Sequence, residues 1–182
     1  RLSLPYGDCD YAVVGGVSMK VSPIRLISRC DANMISRPGS CKAFDNHADG
    51  YIPGEGCGVI VLTRASRAVR EFLPILATVE GSAINQDGKS SSLTAPVGPA
   101  QSEVIIRALK DAGISPEDVD YIETHGTGTY LGEPIEVNAL GTVFFNPQNK
   151  RERPLFLGSV KTNIGHLEAA AGIAGFIKTV MA

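Results

Sequence analysis

The sequence contains no tryptophan, and aromatic residues make up only 6% of its 182 positions. Stacking platforms for single-stranded nucleic acid are therefore not expected. An excess of basic charge is also lacking: 17 Lys and Arg stand against 19 Asp and Glu, for a formal net charge of -2. That excludes a surface built to neutralise phosphates. No apolar run approaches the ~18–20 residues that a membrane-spanning helix needs. The four cysteines, Cys9, Cys30, Cys41 and Cys57, form no CxxC pair and are irregularly spaced. A zinc site is not expected from such spacing; reduced, partly buried thiols in a cytoplasmic protein are. The chain opens Arg1-Leu2-Ser3-Leu4-Pro5, without an initiator Met or a signal-peptide pattern, and reads as cut from something longer.

What is present is ordinary in bulk and unusual in detail. Hydrophobic residues at 43% and charged residues at 20% suit a globular domain long enough for one core. Glycine is frequent, 20 residues, without a repeat period or a low-complexity stretch. The β-branched run Asp10–Val17 predicts a buried strand, residues 23–29 a short helix, and Cys57–Leu62 a second buried strand after the turn-rich stretch Arg37–Gly56. Residues 64–71 read as a helical turn or two, and Ile75–Asn85 as a third strand. Pro99–Ala112 predicts a helix, with Ile105, Ala108, Leu109 and Ala112 on one face and Gly113 as its C-terminal cap. Val119–Thr124 and Leu155–Val160 read as strands, Pro134–Phe145 as a helix opened by proline, and residues from about Ile164 to the end as a last helix. This alternation predicts α/β layering with a largely parallel sheet.

Two strand-to-helix corners carry the chemistry. In Ile122-Glu123-Thr124-His125-Gly126-Thr127-Gly128-Thr129 a strand ends, a histidine follows, and a Gly/Thr loop leads into a helix. In Gly158-Ser159-Val160-Lys161-Thr162-Asn163-Ile164-Gly165-His166-Leu167-Glu168 a strand ends and a second histidine falls at the start of a helix. Ligands of open α/β sheets bind outside the carboxyl ends of the strands. A neutral imidazole there can donate an N–H to a carbonyl oxygen that is becoming an oxyanion. A helix N-terminus at His166 and a nearby Lys161 ammonium would both lower the imidazole pKa and keep it neutral. The alternative is that each histidine only caps or packs its corner. Taken from spacing alone, the pattern says paired polar corners of an active site.

The motifs resemble those of a known family. His125-Gly126-Thr127-Gly128-Thr129 with Gly132-Glu133-Pro134-Ile135-Glu136, and Lys161-Thr162-Asn163-Ile164-Gly165-His166-Leu167-Glu168-Ala169-Ala170-Ala171-Gly172, are similar to the two histidine motifs of ketosynthases. Phe44-Asp45, Ala48-Asp49-Gly50-Tyr51 and Gly54-Glu55-Gly56-Cys57-Gly58 resemble the family's central segment. Asn85-Gln86-Asp87-Gly88, Leu93-Thr94-Ala95-Pro96 and Gly98-Pro99-Ala100-Gln101 resemble the type I polyketide synthase version. The resemblance implies a thiolase-like α-β-α-β-α layered fold, covered only in part and usually dimeric, and decarboxylative Claisen condensation of acyl and malonyl-type thioesters. It implies His125, His166 and Lys161 as the catalytic set, Thr127 and Thr129 as contacts to the phosphopantetheine arm of an acyl carrier protein, and Glu136 as a partner of Lys161. An acyltransferase domain of the same synthase is the other implied partner; no directly bound cofactor or metal is implied. Glu136 as a solvated helix residue, and the two threonines as turn-formers, stay open as alternatives.

The family's nucleophilic cysteine, in a Ser-rich elbow, has no counterpart here. Cys9 resembles a later, non-catalytic cysteine, and Ser90-Ser91-Ser92 falls in a loop matched to a different segment. Residues 1–182 are thus expected to be the central to C-terminal portion of one ketosynthase domain, lacking the elbow and the C-terminal end. A fragment of that kind exposes intended core. Glu133 departs from the family's usual Asp, and Tyr130 adds bulk beside the threonine loop. A non-condensing, ketosynthase-like module, either decarboxylase-only or a docking scaffold, is the competing expectation.

Overall fold

The glycine-punctuated run Tyr11–Ser18 forms strand β1, which pairs antiparallel with β2, Gly56–Thr63, in the register Tyr11↔Thr63 through Ser18↔Gly56. The computed structural model describes residues 3–90, 95–145 and 151–182. The short strands β3, Tyr121–Glu123, and β4, Phe156–Gly158, pair in parallel. The helices in chain order are α1 (Ser3–Tyr6), α2 (Ile24–Asp31), α3 (Ala65–Arg70), α4 (Gly98–Ala112), α5 (Gly132–Phe144), α6 (Lys161–Ile164) and α7 (Ala171–Met181).

Helix α4 follows its sequence signals closely. Proline sits in its first turn, and Gly113 ends it in the left-handed conformation at φ 71°. Its Ile105 and Leu109 pack, with Val119, Ile122 and Leu155, on the buried cluster Leu140, Val143 and Phe144 of α5. The buried Ser102 hydroxyl donates to the Ala139 carbonyl at 3.1 Å and ties the two helices together. This core lies beneath β3 and β4 and fixes the level from which both histidine corners leave the sheet.

Three expectations are corrected. Residues 75–85 are not a strand. Among the described residues no strand ladders with them; the segment runs extended along α4, with Ser82 N–H donating to Asp111 at 2.9 Å. A β-rich sequence without a neighbouring edge cannot form a ladder. Next, β1 and β2 are not buried on both faces. One face meets α7, where an added Cβ on Gly58 would come 3.0 Å from Ile173. The other leaves Val13 and Val61 74% and 65% exposed, as no described element lies over it. Their pairing is antiparallel; among the strands of the described residues the parallel ladder is that of β3 and β4. Finally, the last helix does not begin near Ile164. Helix α6 stops at Gly165, a 3-10 turn covers Glu168–Ala170, and only then does α7 start.

Candidate active site

The parallel pairing Tyr121↔Phe156 through Glu123↔Gly158 brings the carboxyl ends of β3 and β4 side by side. The two corners therefore begin as neighbours. Thr124 donates both its N–H and its hydroxyl to the Gly158 carbonyl, each at 2.8 Å. One residue further on, the buried Ser159 hydroxyl donates to the Gly126 carbonyl at 2.9 Å. Gly126 takes φ +40°, and a Cβ there would meet Ser159 Cβ at 2.7 Å. Only glycine fits both the rotation and the space.

From this seam the two imidazoles converge. Their ring centroids are 5.4 Å apart, with planes at 84°. The backbone of His166 is held from the other side: its N–H donates to the Ile52 carbonyl at 2.8 Å, and its own carbonyl accepts from Gly54 N–H at 2.9 Å. Those bonds explain why α6 cannot run on. Gly165 turns out of the helix at φ 75°, ψ -178°, so that His166 can bridge to Pro53.

His166 is thus not in the first turn of a helix, contrary to the sequence expectation. Its pKa is nevertheless lowered, from 6.5 to about 4, by desolvation first and then by the Lys161 and His125 charges. The Glu168 carboxylate opposes this and Lys20 adds to it, while a backbone N–H sets the tautomer. Glu168 N–H donates to His166 Nδ1 at 2.9 Å. An amide N–H cannot accept, so Nδ1 carries no proton and the neutral ring keeps its hydrogen on Nε2. The pKa of His125 is lowered too, by desolvation and then Lys161, with Glu136 opposing. The residue keeps access to solvent while the surrounding protein desolvates its imidazole.

Lys161 is buried, 4% exposed, at the start of α6. Desolvation lowers its pKa, and Glu136 and Glu123 act against that through space. Among the described residues it makes no direct ion pair with Glu136. Both oxygens of that carboxylate are engaged by backbone: Oε1 accepts His125 N–H at 2.6 Å and Oε2 accepts Gly126 N–H at 2.9 Å. The expected Lys161–Glu136 pair is therefore a longer-range coupling, and Glu136 is no solvated bystander. The Thr127 and Thr129 hydroxyls share a hydrogen bond at 3.2 Å, and Thr127 is buried.

Four features escaped the sequence reading. Tyr51 lies against His166 with ring centroids 5.1 Å apart. The buried Glu133 carboxylate joins two loops, accepting from Gly128 N–H at 2.8 Å and from Phe44 N–H at 3.0 Å. Glu168 pairs with Lys20 at 3.0 Å and with Arg29 at 2.6 Å. Cys41 is buried, with its sulfur accepting from Ile52 N–H at 3.3 Å. The first three depend on contacts between segments far apart in the chain, and local spacing carries no signal for them; the Cys41 contact spans only 11 residues. All four cysteines are free. Within the expected Ser90-Ser91-Ser92 loop, Ser91 and Ser92 lie outside the described residues.

With this geometry in hand, comparison with known proteins is specific. Residues 1–68 match the model of the beta-ketoacyl synthase N-terminal domain, and residues 76–182 that of the beta-ketoacyl synthase C-terminal domain. The chain is 51% identical over 180 residues to a phenolphthiocerol/phthiocerol polyketide synthase of Mycobacterium tuberculosis, covering 99% of this chain and 10% of that protein. It is 50% identical to an erythronolide synthase of Saccharopolyspora erythraea, covering 99% of this chain and 6% of the relative. It superimposes on the ketosynthase from module 6 of the bacillaene synthase of Bacillus subtilis with a TM-score of 0.94 and 44% identity, over 100% of this chain and 32% of that one. An oxazolomycin ketosynthase domain of Streptomyces albus gives a TM-score of 0.93 at 36% identity, over 99% of this chain and 31% of that one. The chain thus spans a small part of these relatives, and its fold is the layered, thiolase-like one of the ketosynthase domains. Matched in order by both domain models, and carrying both histidine corners in one site, this chain belongs to the beta-ketoacyl synthase family.

Proposed function

We propose that this chain supplies the decarboxylation half of a ketosynthase active site in a type I polyketide synthase. In this reading a malonyl-type thioester loses carbon dioxide, the electron pair of the broken C–C bond becomes an enolate, and its carbon attacks the carbonyl of a cysteine-bound acyl thioester, whose C–S bond breaks to release the cysteine thiolate. The Nε2–H of His166 and the imidazole of His125 donate to the enolate oxygen as charge develops there. Burial, reinforced by the Lys161 charge, keeps both rings neutral. The observation that carries the reading is the convergence of the two rings at 5.4 Å beside that lysine. A docking scaffold needs no such set.

The acyl group is carried on a nucleophilic cysteine outside this chain, and the extender arrives on the phosphopantetheine arm of an acyl carrier protein. Thr127 and Thr129 contact that arm. An acyltransferase domain of the same synthase loads the carrier, and the ketosynthase works as a homodimer. The proposed setting is the cytoplasm, in keeping with four free thiols; no helix of the described residues is long and apolar enough to cross a membrane.

The experiment is malonyl-thioester decarboxylation by the complete protein, with and without His166→Ala. A fall of about 10²–10³ in rate is expected for loss of one oxyanion-type donor. Equal rates would end the enolate-stabilising role.

A further inference from the structure

Glu168 is a non-glycine residue with a left-handed backbone, at φ 48°. A side chain with a Cβ disfavours that conformation. Its carboxylate faces two cations: Oε2 accepts a hydrogen bond from Lys20 Nζ at 3.0 Å, and Oε1 is ion-paired with Arg29 Nη2 at 2.6 Å without hydrogen-bond geometry. The three side chains shield one another, each between 19% and 24% exposed. Lys20 also donates to Ser18 Oγ at 2.6 Å, which anchors it at the end of β1. Arg29 comes from α2, and its Nη1 is buried with no hydrogen-bond partner among the described residues. The guanidinium is compensated by the Glu168 carboxylate, and the Tyr51 hydroxyl also interacts with it.

The strained residue is the one whose N–H donates to His166 Nδ1. A left-handed φ at Glu168 lets the chain swing into the Glu168–Ala170 turn while the amide before its Cα still points back at the ring. We propose that Glu168, clamped by Arg29 and Lys20, is a positioning residue: the two ion pairs hold the left-handed turn that aims its N–H at His166 and fixes the ring as an Nε2–H donor. This rests on the decarboxylation reading given above.

The test compares Glu168→Ala with Glu168→Gly in the complete protein. Both variants lose the same charge and the same ion pairs. They differ only in the cost of the left-handed turn, which glycine takes freely. With malonyl thioester as substrate, Glu168→Ala is expected to lower kcat by about tenfold with KM little changed, and Glu168→Gly to recover most of that loss. The groups facing His166 are Lys161 from α6, His125 after β3, Tyr51, and Lys20 after β1. All are common to the two variants, so the acid limb of the pH–rate profile reports the amide bond to Nδ1. It is expected at higher pH in the alanine variant than in the glycine variant.

The double variant Lys20→Met with Arg29→Met, in which Glu168 remains, should fall as Glu168→Ala does and regain rate when Glu168→Gly is added. Should Glu168→Ala not fold, this pair and its rescue carry the test. Coincidence of the alanine and glycine variants in both kcat and acid limb, or absence of rescue, overturns the inference. If His166→Ala itself leaves decarboxylation unchanged, it is the underlying functional reading that fails; if His166→Ala is impaired while the two Glu168 variants coincide, only the positioning role fails.

Discussion

Glu136 Oε1 accepts the backbone N–H of His125 at 2.6 Å, so the acid nearest to the buried lysine in charge is spent on holding a histidine's main chain. Its other oxygen takes the next amide, that of Gly126. Two adjacent donors leave β3 with no strand to bond, and one carboxylate from α5 satisfies both. The charge left over is felt by Lys161 and His125 through space.

This arrangement predicts a graded response at position 136. Glu136→Gln keeps one acceptor and turns an amide donor toward an N–H. Glu136→Ala leaves two backbone donors without a partner, at about 1–3 kcal/mol for each one kept from water. The alanine variant of the complete protein should therefore melt lower than the glutamine variant, and both lower than wild type. Thermal unfolding of the three proteins checks the order; equal melting points would show that Glu136 gives the corner no structural support.

The histidine pair predicts non-additive losses. Each ring donates to the same oxygen in the proposed reaction, so once one is gone the other cannot hold the enolate in place. His125→Ala and His166→Ala should each cost about 10²–10³ in decarboxylation rate, and the double variant little more than the worse single one. Single-turnover release of carbon dioxide from a malonyl thioester measures all three.

Protonation supplies a third prediction. The folded pKa of His166 is depressed to about 4 from 6.5. The unfolded chain then binds more protons between those values, so stability is fully present above pH 6.5 and is lost as pH falls toward 4. At about 1.4 kcal/mol per pKa unit the full shift would correspond to about 3 kcal/mol, and solvent screening of the half-buried ring reduces it. His166→Gln should flatten the melting temperature against pH in that window. Lys161→Met removes a cation that lowers both histidine pKa values, and should move the window upward and narrow it. An unchanged profile in Lys161→Met would show that burial alone sets the shift.

The corners were legible because their signals are local. A proline at the start of α4, a glycine at its end and a 3.6-residue apolar stripe are short-range facts, and the helix falls where they put it. His125 after β3 is of the same kind. His166 was legible as a site residue but not in its setting. The sequence Asn163–Gly172 has nothing against a continuous helix except Gly165, and what breaks it is a bridge to Pro53 from a distant loop. The partner of Nδ1 is only two residues on, but the turn that presents it follows from that bridge and not from local spacing. Residues 75–85 show the reverse error: β-branched content reads as a strand, yet a ladder needs a neighbour that no local pattern encodes.

Glu133 gives the last prediction. Its buried carboxylate reaches across from the first turn of α5 to two loops at once, Oε1 to Gly128 N–H at 2.8 Å and Oε2 to Phe44 N–H at 3.0 Å. Phe44 is itself left-handed, at φ 61°, and needs the restraint. Glu133→Asp keeps the charge but is one methylene shorter, so from an unmoved helix it can satisfy one loop and not both. The Gly128 loop also bonds Gly50, whose N–H donates to the Gly128 carbonyl at 2.8 Å, and is the better fixed of the two. The amide of Phe44 should be the one released. Hydrogen exchange of the complete protein should then show Phe44 losing protection in Glu133→Asp while Gly128 keeps it, and Glu133→Ala should expose both, at about 1–3 kcal/mol per unpaired buried donor. Equal loss at the two amides in Glu133→Asp would mean that the helix shifts as a unit and that side-chain length is not what links the loops.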